Sequence, residues 1–154
     1  MSSATSTTKS KPPVRAFATL RFYGDRLDPA RLTDILKVSP TKAWRKGERY
    51  FAGRRAGYLV GRIGTWFLAT DTHVESSDLV QHLDFLTRLL SHWTLGDKTR
   101  LSQLRELMAK DGLKADVSLF WHGQSGEAAP SIPAQSLETL RALPAKIETD
   151  FDTD

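Results

Sequence analysis

The amino-acid sequence predicts an α+β fold. The expected form is a two-layer sandwich, with a mainly antiparallel sheet of about four to five strands and helices packed on one face. Three observations carry this. Ala16 to Tyr23 and Ala115 to Trp121 read as strands, the first with a clear period-two alternation. Leu79, Leu83, Leu86 and Leu90, then Leu101, Leu104, Leu107 and Met108, recur at helical spacing. Strands and helices do not alternate strictly, and hairpin signals occur between Tyr58 and Ala69, which disfavours a parallel doubly wound sheet.

The elements follow in order. Ala16, Ala18, Leu20 and Phe22 alternate with Phe17, Thr19, Arg21 and Tyr23, so a strand there has apolar residues on both faces and both can be partly covered. Gly24-Asp25 is a turn. Asp28 is a good N-cap and Pro29 suits the first helical position, with Leu32, Ile35 and Leu36 on one face of the short helix that follows. Pro40 is expected to end that segment, with Val38-Ser39 extended before it. This βαββα opening is ferredoxin-like in order. Tyr58-Leu59-Val60 and Thr65 to Ala69 read as strands separated by Gly61 and Gly64. They form either a tight hairpin around Arg62-Ile63-Gly64, the preferred reading, or one long strand with a glycine bulge.

Ser76 or Ser77 is expected to cap the next helix, with Asp78 in its first turn near the positive end of the helix dipole. That helix buries Leu79, Leu83, Leu86, Leu90 and Trp93, and the next one is stopped by Gly112. Ser136 to Leu143 is a short helix ended before Pro144. Ile147, Thr149 and Phe151 then face one way and Glu148, Asp150 and Asp152 the other, as in a last strand with one solvated face. The stretch Val117 to Gly123 sets against Ala18 to Gly24, and Ile132 to Leu137 echoes Leu27 to Leu32, which reads either as a loose strand–turn–helix pseudo-repeat or as the coincidence that any α+β domain offers.

Four pieces of the chain together carry a resemblance. They are Gly24 to Leu36 (GDRLDPARLTDIL), Pro40 to Glu48 (PTKAWRKGE), the tryptophan strand Gly64 to Thr70, and Val74 to Leu83 (VESSDLVQHL). As a set they resemble a bacterial family known only as a domain of unknown function, number 4279, over about Val14 to Phe151. The resemblance implies a small cytoplasmic bacterial protein. It implies no activity and no catalytic residues, because that family has none assigned.

Composition narrows the function classes. One domain over 14–154 is expected, after a disordered tail, residues 1–13, that offers nothing to bury. The chain has no cysteine, which excludes disulfides, thiolate catalysis and Cys-ligated zinc. No apolar run reaches the roughly 20 residues of a membrane span, and the N-terminus lacks the apolar core of a secretory signal, so the expected location is cytoplasmic. No glycine-rich phosphate loop or nucleophile elbow occurs. No catalytic residue, cofactor or metal is expected. The nearest constellation is His73, Glu75, Asp78 and His82 at one strand-to-helix junction, where helix initiation and core packing explain the same residues.

Charge is distributed unevenly. Residues 1–60 carry +9 and residues 61–154 carry −5. Between Lys37 and Arg62 there are 8 basic residues and one acid, Glu48. Within this run Trp44, Arg45, Lys46, Arg49, Tyr50, Arg54 and Arg55 mix cations with aromatics and form the candidate binding site. Such a mixture suits an acidic protein surface, held by ion pairs around an aromatic anchor. It also suits nucleic acid, with cations on phosphates and rings stacked on bases. The alternative is that Trp44 packs under the sheet edge while the cations form a solvated rim, some pairing with the acidic C-terminal strand. The reading adopted is a non-enzymatic protein-binding module, with toxin neutralisation or regulation as the kinds of role considered. Nucleic-acid binding through the same loop comes second, opposed by the acidic second half, and an enzyme of unknown class third. Oligomeric state is not legible.

Overall fold

The first strand of the fold becomes the centre of its sheet. The computed structural model describes residues 15–51, 57, 59–93 and 98–154. The tail expected over residues 1–13 lies outside them. β1 (Arg15–Gly24) buries Ala16, Ala18, Leu20 and Phe22 on one face, as its alternation predicts. α1 (Pro29–Leu36) begins where the Asp28 side chain accepts the Ala30 N–H and Pro29 fills the first turn. It ends ahead of Pro40, because Lys37 turns into the left-handed region, φ 56°, and donates its N–H to the Thr33 carbonyl.

Four strands follow: β2 (Lys42–Trp44), β3 (Arg49–Tyr50), β4 (Leu59–Val60) and β5 (Gly64–Ala69). A 3-10 turn at Thr70–Thr72 leads to α2 (Leu79–Ser91) and α3 (Arg100–Asp111), then β6 (Lys114–Gly123), α4 (Ala134–Ala142) and β7 (Ala145–Thr153). The main sheet has the order β2-β5-β1-β6-β7. Its first four strands pair antiparallel, in the arrangement of a ferredoxin-like βαββαβ unit. β7 joins β6 in parallel, through α4 as the crossover that parallel pairing requires. Both stretches of the suspected repeat are therefore a strand followed by a proline-started helix, although Pro133, unlike Asp28, supplies no capping side chain.

The core lies between this sheet and the helices. Across the sheet Leu20 sits between Leu68 and Val117, and Phe22 between Trp66 and Ala115. The Phe22 and Trp66 rings meet edge to face at 5.9 Å. Trp66 is fully buried, and its indole N–H donates to Thr33 Oγ1 at 3.1 Å, which ties α1 to the sheet. α2 contributes Leu79, Leu83, Leu86 and Leu90, and α3 contributes Leu104, Leu107 and Met108 before Gly112 caps it at φ 64°.

Three local expectations need correction. Residues 59–60 and 65–69 do not form a hairpin with each other. β4 pairs with β3, whereas β5 pairs with β1 and β2, so the chain changes sheets at Gly61 to Ile63. The α2 cap is Asp78 itself, which accepts the Val80 N–H, while Ser76 Oγ accepts from the Asp78 amide. Trp93 does not continue the leucine stripe. α2 stops at Ser91, the helical period lapses, and Trp93 is 61% exposed.

The described helices cover one face of the sheet. On the other face Phe17 and Phe120 stack at 5.0 Å with the Arg15 guanidinium over both rings. Arg21 lies over Tyr23 and pairs with Asp116 at 2.6 Å, and this hydrogen bond raises the Arg21 pKa above the ordinary arginine value. No described helix is long and apolar enough to cross a membrane.

Candidate binding surface

The described part of the basic run leaves β2, at one edge of the main sheet, for a short arm. β3 and β4 form a separate two-stranded ribbon, pairing Arg49 with Val60 and Tyr50 with Leu59. Two further backbone bonds, Gly47 N–H to the Gly61 carbonyl and Gly61 N–H to the Glu48 carbonyl, join its base. Trp44, the last residue of β2, closes over this base. Its ring stacks on Tyr50 with centroids 4.0 Å apart and planes within 2°. Its indole N–H donates to the Ile63 carbonyl at 3.0 Å. Gly61 lies against the ring, where a Cβ would meet Trp44 Cδ1 at 2.3 Å.

Trp44 is thus neither a core residue nor a free anchor. It is half-buried, with one face taken by Tyr50. The cations are also partly engaged. Arg45 reaches Asp28 at 2.8 Å and Lys46 reaches Asp25 at 3.3 Å. Asp28 therefore caps α1 and holds the arm with one carboxylate oxygen. These ion pairs go to the turn after β1. They do not go to the acidic C-terminal strand, because β7 lies at the opposite edge of the sheet. Arg49 and Tyr50 sit on the ribbon, a pairing that the sequence reading did not include, and Arg54 and Arg55 lie outside the described residues.

What sequence reasoning missed is that the apolar side chains of the arm stand exposed. Among the described residues the exposed large apolar side chains are Phe51, Val60, Ile63 and Trp93, and the first three lie on or beside this ribbon. The available signal was their setting. Val60 sits in one of two two-residue strands and Phe51 directly follows the other, among glycines and cations, and strands so short cannot pack both faces on a core.

The junction of His73, Glu75, Asp78 and His82 is built for structure. His82 is fully buried, and its Nε2 donates to the Ser76 carbonyl at 2.8 Å. Its Nδ1 therefore accepts from Thr70 Oγ1 at 2.7 Å, and that oxygen in turn accepts the Ala18 amide at 2.8 Å. His73 stacks on Phe85, and Asp78 caps α2. Among the described residues no three His, Asp or Glu side chains converge as a metal site requires.

Comparison with curated proteins and with solved structures gives no match to this chain. A family model does match, over residues 13–154, and it is described as a domain of unknown function, DUF4279. The strand–turn–helix opening, the tryptophan-bearing basic arm and the capped α2 all lie within that span, and the chain belongs to the DUF4279 family.

Proposed function

We propose that the chain is a non-enzymatic protein-binding module whose docking element is the β3–β4 arm. The observation that supports this is the clustering of Phe51, Val60 and Ile63, exposed at 71%, 54% and 37%, on the basic part of the chain. Exposed apolar side chains grouped with cations mark a contact surface better than either feature alone. The Trp44–Tyr50 stack packs the base of the arm, beside which Val60 and Ile63 stand exposed. The partner that fits is a protein with an apolar patch rimmed by carboxylates. Nucleic acid fits less well, since Glu148, Asp150 and Asp152 line the far edge of the open sheet face and would repel phosphate.

The test compares affinity capture from native lysate by the intact chain and by a Phe51→Ser, Val60→Ser double variant, each with and without nuclease. Both side chains are exposed, so the variant should melt within a few degrees of the original. The expected outcome is a protein partner that survives nuclease and is lost with the double variant. Capture that disappears with nuclease would transfer the reading to nucleic acid. A partner retained by the variant would remove the arm as the docking element.

A further inference from the structure

A second surface, separate from the arm, lies between α1 and α3. A groove of about 800 Å³ opens there, within the roughly 300–1,000 Å³ range of small-molecule sites. Ile35 and Leu107 provide its apolar lining. Its two carboxylates are already matched: Glu106 takes Lys98 at 3.2 Å, and Asp34 lies 4.0 Å from Lys37. Three other cations in the lining, Arg31, Arg100 and Lys110, have no ion-pair partner among the described residues.

Arg100 is the most unusual of these. It occupies the first position of α3, after the Thr99 cap, at the positive end of the helix dipole. Its Nη1 approaches the Leu89 carbonyl only at 3.5 Å. Its Nε is buried and finds no acceptor among the described residues. Beside these cations stands Trp93, 61% exposed and held at the groove by a backbone bridge to Thr99.

We propose that this groove binds a phosphorylated small molecule carrying a flat ring, the class to which nucleotides belong. Arg31, Arg100 and Lys110 take the phosphates, and Trp93 stacks on the ring. Two arginines and a lysine from two helices give the groove a surplus of positive charge, which suits a multiply charged phosphate ligand better than a single carboxylate. Side chains from α1 and α3 do this work, so no glycine-rich loop is needed.

The test is calorimetric titration of the full chain with ADP, GDP, CDP and UDP, and with adenosine and pyrophosphate as separate halves of the ligand. At least one nucleotide should bind saturably, and both halves should bind about tenfold or more weaker. Trp93→Ala should lower nucleotide affinity by about tenfold, the loss of one stacked base. Arg31→Glu with Lys110→Glu should abolish binding with an unchanged melting temperature, because both side chains are exposed. This pair keeps the test sound should Arg100→Gln prove unstable. Absence of saturable binding by all four nucleotides overturns the proposal. So does binding that both sets of exposed variants leave intact. Pyrophosphate binding as tight as the nucleotide would reduce the groove to an anion patch and overturn the ring assignment.

Discussion

Single side chains in this protein act by connecting elements that sequence separates widely. Thr70 is the clearest case. Its hydroxyl accepts the Ala18 amide and donates to His82 Nδ1, so one buried oxygen links β1, the 3-10 turn and α2. Replacing His82 with leucine keeps the apolar volume but leaves the Thr70 hydroxyl and the Ser76 carbonyl without their partner. The expected loss is about 2–3 kcal/mol, the usual penalty for stranding buried polar groups. Urea unfolding of His82→Leu against the original chain measures it, and a change under 0.5 kcal/mol would show that water replaces the ring. Asp28 works in the same connecting way at the surface. There its pair with Arg45 is worth little as an exposed salt bridge, and its capping bond carries most of the effect.

At the scale of elements, the β3–β4 ribbon depends on its base. A two-stranded ribbon of this length is not stable alone. Trp44 and Tyr50 supply the packing that the ribbon lacks, and Gly61 makes room for it. Gly61→Ala would place a methyl group 2.3 Å from Trp44 Cδ1 and 2.7 Å from Nε1, with an Arg45 carbonyl 3.2 Å away. The ring must swing off Tyr50 and give up its bond to the Ile63 carbonyl. The expected result is a loss of about 1–3 kcal/mol, as for other overpacked sites, with loss of the near-ultraviolet circular dichroism of the stacked pair. Retention of that signal at full strength would mean that the backbone moves away instead, leaving the stack intact.

For the whole molecule, strand order decides both stability and charge. β1 has partners on both sides, and β6 lies between β1 and β7, so their amides are sealed within the sheet. The ribbon has only itself and the Trp44 closure. Hydrogen exchange should therefore be slowest in β1 and β6 and much faster in β3 and β4, which open locally without unfolding the rest. Ribbon amides as slow as those of β1 would show that the arm belongs to the main cooperative unit. The same order sets the basic arm at the β2 edge and the acids Glu148, Asp150 and Asp152 at the β7 edge. The two charged regions of the chain therefore lie on opposite sides of one sheet and do not neutralise each other. For the acidic partner proposed above, that arrangement would give attraction at the arm and repulsion at the β7 edge.

Sequence alone determined what is periodic or local. The alternation of Ala16 to Phe22, the leucine stripes of α2 and α3, the Asp28 cap and the Gly112 stop are each set by residues within a few positions. Burial of one face and pairing of nearby backbone groups are enough to decide them. The likeness to DUF4279 was legible for the same reason, since short local motifs carry it. Of the candidate site, Trp44, Arg45, Lys46, Arg49 and Tyr50 were legible as a basic aromatic run, but what each touches was not. Only the tertiary structure decided that β4 and β5 enter different sheets, that β7 runs parallel to β6, and that Arg45 and Lys46 meet Asp28 and Asp25. It also left Phe51, Val60 and Trp93 outside the core. These outcomes depend on pairings between residues far apart in the chain. Several such pairings satisfy the same local pattern, and the packing of the main sheet against the described helices selects among them.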